Sequence, residues 1–216
     1  MKLEGIDPGL FELTTPLYRE RVDKRLILHT SDRLTNADVA WLGPFRITTP
    51  TRTLIDLASV ESEEVVEIAL QYAVRKGHTS IGRLNQRLES LSGRGRRGIR
   101  VMQRLIEVQP SRPVQSVLEV KLLRAIRDSG LSIPATQFEV RDADFHVFLD
   151  FAYPEQMVAI EAEGREFHVE PFDFEKDLAR RNILTSLGWR VLHVPWDEIV
   201  RNPKRVAESI RKLLSV

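Results

Sequence analysis

The chain predicts an α/β fold: a short mixed sheet flanked by helices in the second half, preceded by a smaller α+β and helical domain. Three observations carry that prediction. From Val114 onward the periodicity runs α, β, β, β, α, β, α, the pattern of a sheet covered on both faces. Met157, Val158, Ala159 and Ile160 form an uninterrupted apolar run, as a strand buried on both sides requires. Gln109-Pro110-Ser111-Arg112-Pro113 breaks a helical stretch, which sets domains at 1–110 and 114–216.

The first domain opens on short strands, clearest at Phe11 to Thr14 and Leu26 to Thr30. Between them, Tyr18–Arg25 carries Arg19, Arg21, Lys24 and Arg25, which reads as a solvated loop before it reads as a phosphate contact. Trp41, Leu42, Phe45 and Ile47 are expected to form a small core. Thr49 and Pro50 supply an N-cap and a proline at the first helical position, and Leu54, Ile55, Leu57 and Ala58 follow at helical spacing. Ser62 caps a second helix with acids in its first turn, Arg75 and Lys76 in its last and Gly77 beyond it. Val65, Ile68, Ala69, Tyr72 and Ala73 line its apolar face. A third helix starts at Thr79 or Ser80 and runs through Leu91; a fourth runs from Ile99 to Val108.

In the second domain the helix ending at Gly130 stripes Leu118, Leu122 and Ile126. Phe138 to Arg141 alternates as a strand. Asp173 to Leu187 is helical and stops at Gly188. Trp189 to Val194 reads as a buried strand, with Trp189 in the core and His193 as a satisfied sheet histidine. The last helix runs from about Pro203 to Leu214, with Val206, Ile210, Leu213 and Leu214 on its apolar face.

The informative stretch is Val147 to His168. Two apolar runs flank a turn at Pro154, which cannot donate to a ladder. A four-residue loop from Tyr153 to Gln156 would set Ala152 opposite Met157 and Asp150 opposite Ala159. Glu161 is then a diagonal neighbour of Asp150 on the same face, roughly 7–8 Å away, with Glu163 following by alternation. Carboxylates gathered so closely repel unless protons or a cation intervene. One reading is a Mg²⁺ site that activates water for phosphodiester cleavage; the other is an ordinary solvated strand end.

Bulk composition narrows the classes. Net charge is +1, so nucleic-acid binding would have to be local rather than driven by bulk charge. With no cysteine, disulfides, thiolate nucleophiles and cysteine zinc sites are excluded. No apolar segment is long enough to span a membrane and the start is no signal peptide, so a cytoplasmic protein is expected. The best local patch is the loop SGRGRRGIRVMQR, where Arg94, Arg96, Arg97, Arg100 and Arg104 cluster. Glycine lets backbone approach a phosphate and guanidinium forks suit it; a soluble interdomain loop is the alternative. Arg180 and Arg181 reach either phosphate or a neighbouring acid.

From Glu119 to the C-terminus the chain resembles the Vsr-like (very-short-patch-repair-like) branch of the PD-(D/E)XK nucleases. The resemblance is carried by Leu118-Glu119, Leu149-Asp150-Phe151 with Pro154, Ala159 through Gly164, His168, Arg181 with Leu184, and Leu187 through Leu192. It implies a restriction-endonuclease-like domain and a Mg²⁺- or Mn²⁺-dependent DNA endonuclease. Asp150 matches the metal-binding aspartate and Glu161 the first acid of the (D/E)-x-K pair. Glu163 stands where the motif has lysine and would act as general base or hold a second ion. Glu119 matches a helix acid that some members direct at the metal, and His168 a position near which Vsr-like enzymes use histidine as general acid, a surface or stacking histidine being the alternative.

The segment ITTPTRTLIDLAS is similar to the region that follows the winged helix-turn-helix in AbiEi-type abortive-infection antitoxins. Met1 falls about where that module would end, so an internal start or a lost DNA-binding head is expected. This likeness sustains an alternative: a non-catalytic nucleic-acid- or protein-binding regulator with DNA, a toxin or another regulatory protein as partner.

Overall fold

The computed structural model describes residues 11–15, 23–91, 97–142, 145–164 and 171–215, and the chain divides between Val108 and Gln109 into two compact units. In the first unit, β1 (Phe11–Thr15) pairs in parallel with β2 (Leu26–Thr30). A short 3-10 turn at Asn36–Asp38 leads into the antiparallel hairpin of β3 (Val39–Leu42) and β4 (Phe45–Thr48), reversed at Gly43 with φ +58°.

The expected small core is not there. Trp41, Leu42, Phe45 and Ile47 are 70%, 61%, 68% and 40% exposed. A two-stranded ribbon buries neither face without a third element over it. The core instead lies among α1 (Pro50–Val60), α2 (Glu63–Arg75), α3 (Ile81–Leu91) and α4 (Arg97–Glu107), built from Leu54, Val66, Leu70, Leu84, Met102 and Leu105. The expected caps form: Thr49 accepts from the Arg52 amide and Ser62 from the Val65 amide. The second helix is not one-faced as expected, because every residue from Val66 to Gln71 is buried, Glu67 included.

Two local features explain residues that otherwise look functional. Asp38, 1% exposed, accepts from the Thr35 amide and from Arg87, and Arg52 lies 3.4 Å away. Arg52 and Arg87 also share the carbonyl of Arg33. Arg52, in the middle of the ITTPTRTLIDLAS segment, is thus a structural anchor. Gly98 lies where a Cβ would stand 2.8 Å from the Ile55 carbonyl and 2.2 Å from Ser59 Oγ, so its missing side chain lets α4 close on α1.

The second unit runs α5 (Val117–Asp128), β5 (Ala135–Asp142), β6 (Phe145–Tyr153), β7 (Val158–Glu163), α6 (Pro171–Ser186), β8 (Arg190–Pro195), α7 (Trp196–Arg201) and α8 (Pro203–Leu214). Its sheet has the order β5-β6-β7-β8, antiparallel except for the parallel β7–β8 pair. This is the expected mixed sheet among helices. The short α7, begun after Pro195, went unforeseen. Trp189 is 7% exposed and packs 5.7 Å from the Phe138 ring, as expected of a core residue. Arg190 to His193 are only half-buried, contrary to expectation, because β8 is an edge strand. Among the described residues no helix is long and apolar enough to cross a membrane.

The hairpin register differs from the expected one by two residues. Phe151 pairs with Ile160, Ala152 with Ala159 and Tyr153 with Val158. Pro154–Gln156 form a 3-10 turn and Met157 sits in the left-handed region at φ +52°, so the reversal consumes Met157 rather than starting the strand with it. Continuing this register by one step brings Asp150 directly opposite Glu161 instead of diagonal to it.

Candidate active site

Three distortions of regular sheet geometry place Asp150. The β5–β6 ladder lacks the Gln137–Asp150 pair, and Gln137 adopts φ +48°. Leu149 and Ala152, three residues apart, pack into one apolar cluster, so alternation along β6 breaks between them. The β6–β7 ladder ends at Phe151–Ile160, and beyond it Asp150 Oδ2 accepts from the Ala162 amide at 3.0 Å. The aspartate thereby occupies a ladder position that backbone would otherwise fill.

A cleft of about 260 Å³ opens at this rim, lined by Asp150, Glu161, Ala162, Glu163, Gly164, Arg180, Arg181 and His193. Both acids expected to converge are therefore in one concavity. Glu161, 8% exposed, is held by the Arg180 fork: Nη1 donates to Oε2 at 2.6 Å and Nη2 to Oε1 at 2.5 Å. Glu163 Oε1 lies 2.8 Å from His193 Nδ1 and 3.6 Å from Arg181. His193 is opposite Glu161 in the parallel register. It is a partnered sheet histidine as expected, but the partner is a cleft acid.

Glu119 is close to this group without lining the cleft. It stands at the start of α5, where its amide donates to Ser116 Oγ and its Oε2 accepts from the Gln115 amide at 2.8 Å. Gln137 Nε2 bonds the same oxygen at 3.1 Å and approaches Asp150 Oδ1 at 3.5 Å. Burial, then the charge of Asp150, pushes the Glu119 carboxyl above its ordinary range. Burial also pushes Asp150 up; the Ala162 amide opposes this, and the charge of Glu161 adds to it.

The donor set suits a hard divalent cation. It offers carboxylate oxygens from Asp150, whose negative charge is disfavoured by burial and by the neighbouring Glu161, and from Glu161, which the Arg180 fork engages. Among the described residues no three His, Asp or Glu side chains form a metal cage. The cleft has instead the sparse pattern of one or two carboxylates that Mg²⁺ commonly completes with water and phosphate oxygens.

Other expected site residues fall elsewhere. His168, Arg94 and Arg96 lie outside the described residues, as does the side chain of Arg97, whose backbone begins α4. Arg100 is exposed on α4, and Arg104 pairs with Glu63 at 2.8 Å. Gln137 was missed. The Arg180 fork on Glu161 is the neighbouring-acid alternative expected for Arg180, and the Arg180-Arg181 pair matches two acids spaced by two on β7.

Residues 118–214 match the family model REase_MTES_1575, restriction-endonuclease-like, which marks the C-terminal region as nuclease-like. The chain is also similar to two curated proteins of Mycobacterium tuberculosis, "Uncharacterized protein MT2308" of strain CDC 1551 / Oshkosh and "Uncharacterized protein Rv2248" of strain ATCC 25618 / H37Rv. Each is 31% identical over 122 residues, covering 56% of this chain and 45% of the relative, so the match spans less than half the relatives' length. No solved structure matches the chain significantly.

Proposed function

We propose that this protein is a Mg²⁺-dependent DNA endonuclease of the Vsr-like kind, acting in the cytoplasm, with its chemistry in the C-terminal unit. The reading rests on one observation: Asp150, displaced from regular sheet geometry and tied to the Ala162 amide, shares a cleft with Glu161. Asp150 and Glu161 would hold the ion, with Glu119 supporting Asp150 through Gln137 rather than by direct contact. A divalent ion bound there supplies Lewis-acid activation of water and neutralises phosphate charge.

The remaining steps belong to the chain's own side chains. Glu163, which contacts His193 and lies near Arg181, would take a proton from water, and His193 would carry it onward. His168 would serve as general acid. Arg181, half-exposed at the cleft, and Arg94, Arg96, Arg97 and Arg100 supply phosphate contacts. The test is nicking of supercoiled plasmid by purified protein with Mg²⁺ or Mn²⁺. Activity that disappears in Asp150→Ala, with circular dichroism unchanged, supports the reading; equal activity in that variant defeats it.

A second reading is favoured by the Arg180 fork on Glu161 and by an acid where the motif has lysine. In it, the fold is a non-catalytic nucleic-acid- or protein-binding platform, allied to AbiEi-type regulators through its first unit. It requires gel shifts that depend on the arginines at 94–104 and ignore divalent ions.

A further inference from the structure

We propose that Arg180 exchanges partners as the site loads: it neutralises Glu161 in the free protein and turns to a substrate phosphate once a divalent cation takes that carboxylate. This rests on the metal-nuclease reading above and adds a residue to it.

The geometry sets the two in competition. Both Glu161 oxygens are engaged by the Arg180 fork, so a cation approaching Glu161 meets the guanidinium charge and competes with it for the carboxylate. It also makes the exchange feasible. The Arg180 side chain is 29% exposed against 11% for Glu161, so the arginine is the more solvent-accessible member of the pair. Nη2 additionally donates to the Phe148 carbonyl at 3.2 Å, an anchor beside Asp150 that holds the arginine at the cleft.

Charge gives the exchange its direction. Asp150 and Glu161 with Arg180 leave one net negative charge. A divalent cation reverses that to one positive charge, and a single phosphodiester cancels it. A guanidinium released from a carboxylate accepts a phosphate with the same planar fork. The position two residues beyond Glu161 cannot supply this cation, because Glu163 stands there and is itself bonded to His193. The positive group therefore comes from α6.

The test is calorimetric titration with Mn²⁺ alone, on the whole chain, alongside plasmid nicking. Arg180→Ala removes the competitor for Glu161, so Mn²⁺ binds about three- to tenfold tighter. The same variant cuts about a hundredfold more slowly, because the phosphate loses its partner. Arg180→Lys, which keeps charge without the fork, recovers part of the cleavage. Arg181→Ala, which leaves the Glu161 pair intact, keeps Mn²⁺ affinity within about twofold of wild type. Unchanged or weaker Mn²⁺ binding in Arg180→Ala, or undiminished cleavage, overturns the exchange alone. A wild-type chain that binds no Mn²⁺ and cuts nothing overturns the nuclease reading, and the exchange with it.

Discussion

Asp150 accepts its hydrogen bond from the amide of Ala162, the residue between Glu161 and Glu163, at 3.0 Å. One carboxylate on β6 is thus fixed by the backbone of the acidic strand beside it, and the acids are held together by a bond that does not depend on metal.

That arrangement has a stability consequence. Burial, with the charge of Glu161 behind it, raises the Asp150 pKa in the folded chain. A raised group contributes its stability fully below the unfolded pKa and loses it as pH rises through the folded value. At neutral pH the ionised Asp150 is therefore destabilising. Asp150→Asn is expected to raise Tm by about 2–4 °C at pH 8, roughly 1 kcal/mol, and the gain should vanish near pH 3. Thermal denaturation across pH measures both; a lower Tm at pH 8 would contradict the assignment.

Asp38 behaves in the opposite sense. Its burial opposes the charge most strongly, but Arg87, the Thr35 amide and Arg52 together outweigh it and hold the carboxyl below its ordinary range. Its contribution is therefore full above the unfolded pKa and is lost as pH falls through the folded value. Arg87→Ala should cost about 3 kcal/mol, because it strips the closest partner from a buried charge. Urea unfolding at neutral pH reads the cost, and the wild type should lose stability on acidification where Asp38→Asn does not.

Gly98→Ala should destabilise the first unit by about 1–3 kcal/mol, since the added methyl meets the Ile55 carbonyl and Ser59. Were the glycine there for phosphate approach, the substitution would weaken DNA binding and leave the urea midpoint unchanged.

Trp41 and Trp189 separate surface from core. Trp41→Ser should shift stability by no more than about 0.5 kcal/mol, whereas Trp189→Ala should cost about 3–5 kcal/mol. Quenching by acrylamide should reach Trp41 and spare Trp189.

Much of the second unit was legible because its signals are local. The Leu118, Leu122 and Ile126 stripe, Gly130 and Gly188, at φ +70° and +88°, and the apolar run into Ile160 each announce an element or its end. The register was not legible. It hangs on whether the turn consumes Met157, and a left-handed methionine has no sequence signature. The break in alternation at Asp150 is set by Gln137 on a neighbouring strand, which periodicity within β6 cannot reveal. In the first unit Trp41, Leu42, Phe45 and Ile47 are four large apolar residues in seven positions, as a core would need, yet composition does not say whether anything covers a hairpin. Arg52 shows the reverse: it looked like part of a family segment and is the partner of a buried aspartate 14 positions earlier.

The most direct measurement is an anomalous difference map from crystals of the whole chain soaked in Mn²⁺. A peak between the Asp150 and Glu161 carboxylates, with the Arg180 fork swung off Glu161, is the expected result. A map with no peak there at full Mn²⁺ and the Arg180–Glu161 fork intact would contradict the metal-nuclease assignment.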